Sequence, residues 1–190
     1  MRIISGEYGG RVLEAPAGMR TRPTTARVRE AIFSSLESMF GSLDSLRVLD
    51  AFAGSGLMGF EALSRGCSHV TFVESDKAAV SNLKNNCKKL QITSDKFKLI
   101  NNDVFKCIDI LEDLKDLVFI DPPYIMEPIQ VFNFISSLSK KAKLSDKFIA
   151  VYEYSQANAS QTLQAMQSSD FRIIKNKKYG HSCVLYIERA

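Results

Sequence analysis

The sequence is short of the features that build metal centres. Its 190 residues hold four cysteines (Cys67, Cys87, Cys107, Cys183) and two histidines (His69, His181), with no CxxC and no clustered Cys/His spacing. Zinc sites need such spacing. No metal is therefore expected, and the cysteines read as free thiols serving as small apolar residues. No apolar run approaches the roughly 18 residues of a membrane-spanning helix. The opening MRIISGEYGGRVLEAPAG lacks the apolar stretch of a secretory signal, so a cytoplasmic protein is expected. What remains is 45% hydrophobic and 24% charged, the balance of an ordinary globule rather than of a disordered or collagen-like chain. The length suits one domain, or one domain with a small extension. A chain of this size buries about 70% of its unfolded surface and needs no staples.

The net charge of +4 is unevenly placed. Residues 1–30 carry Arg2, Arg11, Arg20, Arg22, Arg27 and Arg29 against Glu7, Glu14 and Glu30, with no lysine, for a local charge of +3. Arginine reads phosphates through a planar bidentate fork, and such a cluster is a footprint for nucleic acid. A solvated face explains it equally well on charge alone.

A βα rhythm runs along the chain. RVLDAF (47–52), HVTFVES (69–75), FKLINND (97–103), LVFID (117–121) and KFIAVYEYS (147–155) read as strands. LVFID is too apolar to alternate, as expected of a strand covered on both faces. Helices are expected from LMGFEALSRG, at 77–90, over VFKCIDILEDL, at 128–142 and, more weakly, at 157–169. FRIIKNKK (171–178) and SCVLYIER (182–189) flank Tyr179-Gly180-His181 as a hairpin. Strands separated by helices imply a mostly parallel sheet covered on both sides. The terminal hairpin completes the seven-stranded pattern of a class I methyltransferase, a Rossmann-like α/β fold. In front lies an extension, a small hairpin of RIIS and RVLE about Gly9-Gly10. It is followed by an amphipathic helix over 24–39 with Val28, Ile32, Leu36 and Met39 on one side. Residues 1–40 are thus expected to form an RNA-binding extension packed on a 41–190 core.

Three strand ends could hold a ligand. Asp50-Ala-Phe52-Ala53-Gly54-Ser55-Gly56 sits where the first strand meets the first core helix, and glycines there let a backbone approach a ligand at a helix N-terminus. Gly54-Ser-Gly-Leu-Met-Gly59 also fits the GxGxxG of dinucleotide sites, with Glu74 twenty residues past Gly54. No Gly-Lys-Ser/Thr follows, so it is not a P-loop. Asp50 opposes a pyrophosphate but suits a ligand ammonium, and a ligand bearing ammonium and carboxylate is an amino-acid moiety, as in S-adenosylmethionine. The dinucleotide reading and a plain turn stay open. Glu74, followed by Ser75, ends the second strand, where a carboxylate can accept ribose hydroxyls; a solvated capping acid is the bland alternative. Asp103, followed by Val104, ends the third strand, where a carboxylate can accept an adenine amino group or merely cap the next helix.

Asp121-Pro122-Pro123-Tyr124 ends the fourth strand. An exocyclic amine of a nucleobase is a poor nucleophile because its lone pair is conjugated with the ring. Acceptors around the NH2 group, the Asp121 carboxylate and the Pro122 carbonyl, pull it toward tetrahedral geometry. Prolines offer carbonyls without a competing N–H. Tyr124 supplies a face on which an extruded base can stack. A rigid strand terminator is the alternative reading.

These residues resemble the amino-methyltransferases of adenine N6, cytosine N4 or guanine N2. Arg2-Ile-Ile-Ser-Gly6, Gly10-Arg11-Val-Leu13, Pro16-Ala-Gly18, Arg22-Pro-Thr24, Arg27-Val-Arg-Glu-Ala31, Glu61-Ala-Leu-Ser-Arg-Gly66 and Tyr179-Gly180 narrow the resemblance to the RsmD family, over nearly the whole chain. The chain departs at Ala26, where that family carries an acid. The resemblance implies methylation of guanine N2 in 16S ribosomal RNA, with S-adenosylmethionine as cofactor and ribosomal RNA or an assembling small subunit as partner. Asp121, Pro122, Pro123 and Tyr124 would be catalytic. Asp50, Phe52, Ala53, Gly54, Ser55, Gly56, Glu74, Ser75, Asp103, Val104 and Asp121 would hold the cofactor. Arg2, Arg11, Arg20, Arg22, Arg27, Lys175, Lys177 and Lys178 are expected on RNA phosphates, and the protein is expected to act as a monomer. A DNA adenine or cytosine amino-methyltransferase and a non-catalytic RNA-binding module are the rival readings.

Overall fold

The computed structural model describes residues 1–15, 25–123 and 125–190. Twelve regular elements follow one another, beginning with α1 (Ala26–Phe40), β1 (Arg47–Asp50), α2 (Leu57–Ser64) and β2 (His69–Glu74). They continue with α3 (Lys77–Lys89), β3 (Phe97–Asn101), β4 (Lys115–Ile120) and α4 (Pro128–Lys140). β5 (Leu144–Ser155), α5 (Ala159–Gln167), β6 (Phe171–Tyr179) and β7 (Ser182–Arg189) complete the chain. The sheet order is β3-β2-β1-β4-β5-β7-β6. The first five strands pair in parallel, and β7 runs antiparallel to both β5 and β6. The class I methyltransferase pattern expected from the strand rhythm is the one observed.

Two apolar layers cover the sheet. One holds Val131, Phe132, Ile135 and Leu138 of α4, with Ala165 and Met166 of α5. The other holds α2 (Phe60, Leu63) and α3 (Leu83, Cys87) together with Ile3, Leu13 and, from α1, Ile32, Phe33 and Leu36. The N-terminal segment therefore shares a core with the sheet, and Phe33 packs on Phe119 with ring centroids 5.6 Å apart. The four cysteines are buried free thiols. Burial pushes the Cys67 and Cys87 thiols up to about 12, which keeps them protonated and inert. Among the described residues, no helix is long and apolar enough to cross a membrane.

One expectation needs correction. The helix expected over VFKCIDILEDL is instead a pair of 3-10 turns, Val104–Lys106 and Ile108–Ile110. Val104, Cys107, Ile108 and Leu111 do face the core, so the apolar spacing is real. It is met by three-residue turns, the first of them closed by the Asp103 side chain accepting from Phe105 N–H, a local bond that competes with a continuing helix. The expected N-terminal hairpin is present: Arg2 bridges Val12 in antiparallel fashion, Ile3 N–H donates to the Arg11 carbonyl at 3.0 Å and Leu13 N–H to the Met1 carbonyl at 2.7 Å. The N–H groups of Ile4 and Ser5 turn away from it and donate to the Glu61 carboxylate at 2.8 and 3.1 Å.

Candidate active site

The sheet order reverses between β1 and β4, and such a switch point opens a crevice at the carboxyl ends of the strands. Both the Asp50–Gly56 loop and the Asp121 loop leave the sheet there. The first loop is shaped by its glycines. Gly56 has φ +75°, and a Cβ there would stand 2.3 Å from Leu83 Cδ2. A Cβ on Gly59 would meet the Phe72 ring at 2.2 Å, so α2 lies close against β2. Gly59 N–H donates to Asp50 Oδ2 at 3.0 Å, and Gly54 N–H donates to Glu74 Oε2 at 2.8 Å. The two acids thus brace the loop from below and from the neighbouring strand.

A cleft of about 170 Å³ lies beside this loop, lined among others by Phe52, Glu74, Ser75, Asp103, Val104 and Pro123. It gathers residues from the ends of β1, β2, β3 and β4; of the four strand-end acids Glu74 and Asp103 line it, while Asp50 and Asp121 are not among its lining residues. Ala53, Gly54, Ser55 and Gly56 are not among its lining residues either and form the turn between β1 and α2. Glu74 also accepts from Asp76 N–H through Oε1 at 2.8 Å, and Asp103 Oδ1 accepts from Phe105 N–H at 2.8 Å. Asp103 therefore caps a turn and lines the cleft at once. The sequence reading missed Asn102, Phe105 and Met126 on the same wall. The sequence signal was an aromatic two residues past a strand-end acid, and the structure leaves Phe105 39% exposed.

Charge decides between the ligands. Asp50 is 5% exposed, and burial followed by the Glu74 charge pushes its carboxyl up to about 7, against the pull of the Gly59 N–H. Asp121 is an exposed residue, with protein packed around its carboxyl. Loss of water, then Glu153, then Asp50 raise its carboxyl well above the usual carboxylate range. A pyrophosphate would add negative charge to this row of acids. A ligand carrying an ammonium and a sulfonium relieves it, so the residues fit S-adenosylmethionine and not a dinucleotide.

A family model, "Conserved hypothetical protein 95" (Cons_hypoth95), matches residues 1–188. The chain belongs to that family. This is the RsmD family of the sequence resemblance. The Escherichia coli K12 protein named Ribosomal RNA small subunit methyltransferase D is 32% identical over 165 residues, 87% of this chain and 80% of that protein. The Haemophilus influenzae protein of the same name is 39% identical over 129 residues, 65% of this chain and 64% of its own length. The solved structure of Escherichia coli yhhF superposes with a TM-score of 0.81 at 27% identity, covering 100% of this chain and 97% of that one. The RsmD-family chain is a methyltransferase, and its cofactor is S-adenosylmethionine.

Of the residues expected on RNA, Arg2, Arg11, Arg27, Lys177 and Lys178 are exposed. Lys175 is half-buried, and its Nζ donates to Ser35 Oγ at 2.8 Å and lies over the Tyr186 ring. Arg29, counted in the same charge cluster, is 3% exposed and pairs with Glu61 at 3.2 Å. Arg20, Arg22 and Tyr124, with the Pro16–Thr24 part of the family pattern, lie outside the described residues.

Proposed function

We propose that the protein transfers a methyl group from S-adenosylmethionine to the N2 amine of a guanine in 16S ribosomal RNA, acting as a monomer in the cytoplasm. One observation carries this reading: the Asp121-Pro122-Pro123 turn leaves β4 at the switch point, next to the β1 loop, in a chain whose relatives bear the name Ribosomal RNA small subunit methyltransferase D. Bound S-adenosylmethionine supplies an electrophilic methyl group on a sulfonium.

The roles of this chain's residues follow from their chemistry. Asp50 meets the ammonium of the amino-acid moiety. Glu74 takes the ribose hydroxyls and Asp103 the adenine amino group, while Phe52, Ser75, Val104 and the loop from Ala53 to Gly56 wall the site. Asp121 in its ionised form accepts an N–H of the guanine amine, and the Pro122 carbonyl accepts the other. The amine is then drawn out of conjugation, and its gain of positive charge on attack is matched by the carboxylate. Pro123 fixes the turn, and Tyr124 offers the base a stacking face. Residues 1–40 form the RNA-binding extension on the 41–190 catalytic domain, and Arg2, Arg11, Arg20, Arg22, Arg27, Lys177 and Lys178 hold phosphates.

The test separates chemistry from binding. Asp121→Ala should lower kcat by about 10²–10⁴-fold, the range for a positioned acid–base group, or roughly 3–5 kcal/mol of barrier. Cofactor affinity by calorimetry should change little by comparison. Near-normal turnover by a folded Asp121→Ala protein would leave a binding module on a methyltransferase fold.

A further inference from the structure

A row of carboxylates crosses three neighbouring strands. β1, β4 and β5 are adjacent, and their register pairs Asp50 with Phe119 and Ile120 with Tyr152. One further step in that parallel register brings Asp121 opposite Glu153. Alternation sets the face. Ile120 and Tyr152 point into the layer of α4 and α5, whereas Phe119 and Val151 point into the layer of α1 and α2. Asp121 and Glu153, each two residues further on, share the α1/α2 side. Asp50 shares it too, since it bonds Gly59 of α2. Neighbouring strands stand about 4.8 Å apart, so the two carboxylates are within reach of one another.

The groups acting on Asp121 come from both flanks: Asp50 from β1 and, more strongly, Glu153 from β5. Tyr152, from the opposite face of β5, feels the Asp121 charge in turn. β7 sets apolar Val184 opposite Glu153, and Glu74 acts one step away through Asp50. A like charge this close makes ionisation of Asp121 costlier and its carboxylate a better proton acceptor.

We propose that Glu153 acts through Asp121 as a positioning residue, the two carboxylates together holding the proton that the target amine releases. The proposal rests on the amine-methylation reading above. In that reaction the amine lone pair forms the N–C bond, while the C–S bond breaks and its electron pair stays on sulfur. The methylated nitrogen then carries one hydrogen too many. Asp121 takes that proton, Glu153 shares it, and it leaves through the exposed edge of Asp121. A lone carboxylate of ordinary basicity would be a weak acceptor; a second negative charge beside it moves the acceptor toward the operating pH, where proton transfer is most effective.

The experiment compares the pH profile of kcat for wild type, Glu153→Gln, Asp121→Asn and the double variant on small-subunit RNA, with carbon-13 NMR titration of the Asp121 carboxyl in the cofactor-free protein. Glu153→Gln should shift the acid limb of the profile to lower pH. It should also lower the plateau by on the order of tenfold, part of the full acid–base effect, and leave cofactor affinity unchanged. In the Asp121→Asn background it should add nothing. The carboxyl titration should move to lower pH by the same amount as the limb. An unmoved limb and titration, or an equal loss in the Asp121→Asn background, would overturn the proposal. Should Glu153→Gln fail to fold, Glu153→Asp keeps the charge and must keep the limb; a limb displaced to lower pH there is an overturning result as well. A wild-type protein inactive on every RNA and DNA offered would defeat the amine-methylation reading instead, and the titration would still decide the pair.

Discussion

Asp50 shows how one buried acid can tie cofactor binding to pH. Its carboxyl titrates at about 7 in the fold against about 3.9 in an unfolded chain. Between those values the folded protein holds a proton that the unfolded chain has lost. Stability from this group is therefore highest at low pH and falls as pH rises toward 7. Affinity for a ligand ammonium runs the other way, because the charged carboxylate is the partner. Calorimetry on the wild type should show S-adenosylmethionine binding that tightens from pH 6 to pH 8. Asp50→Asn keeps an acceptor for Gly59 and removes the charge, so its binding should be weaker and nearly flat with pH, and its cofactor-free form should melt higher at pH 8. A variant that retained the wild-type pH dependence would place the ammonium elsewhere. Asp50 was legible in the sequence because it ends an apolar strand directly before a glycine turn. Its perturbation was not, because that comes first from burial beneath the folded chain and then from Glu74, twenty-four residues away.

The elements divide in the same way. The strands could be read because the burial of both faces leaves unbroken apolar runs such as Leu117–Ile120, all buried. The link between the N-terminal segment and α2 could not be read, because it is built from side chains far apart in sequence. Glu61 of α2 is fully buried. Its Oε2 accepts from Arg29 Nε at 3.2 Å and its Oε1 from Arg65 Nε at 2.9 Å, besides the N–H groups of Ile4 and Ser5. Arg29 in turn donates to the Arg2 carbonyl at 2.7 Å, and Arg65 reaches Glu30 and Glu37 on α1 at 2.5 and 3.0 Å. A charge count assigns Arg29 to the RNA-facing cluster; the fold spends it here. Removing one partner leaves the other buried and uncompensated. Glu61→Ala should thus destabilise the protein by about 3–5 kcal/mol, a fall in Tm of on the order of 10 °C at this size. It should also loosen residues 1–5 in hydrogen exchange. A melt within a degree or two of wild type would show that the network is dispensable.

At the scale of the whole molecule, the described exposed cations that were expected on RNA divide between the N-terminal segment (Arg2, Arg11), the start of α1 (Arg27) and the edge strand β6 (Lys177, Lys178). The Lys175–Ser35 bond joins β6 to α1, which brings two of these groups to neighbouring elements. Lysines on an edge strand also guard against stray pairing, so exposure alone does not prove contact with RNA. Salt dependence does. Each phosphate contact on single strands contributes a slope of about −0.7 in log affinity against log salt. Neutralising Arg2, Arg11 and Arg27 together should flatten the slope by roughly two units, while Lys175→Ala should leave it nearly unchanged. An unaltered slope in the triple variant would make the arginines a solvated face.

The central claim is the chemistry of one amine, and its most direct test is to identify the product. Small ribosomal subunits, naked 16S RNA and duplex DNA are incubated with methyl-labelled S-adenosylmethionine and the protein, then digested to nucleosides and separated. The account predicts label in 16S RNA alone, recovered as N2-methylguanosine and absent when Asp121→Ala replaces the wild type. Label recovered as N6-methyladenine or N4-methylcytosine from DNA, or no label in any substrate, would contradict it.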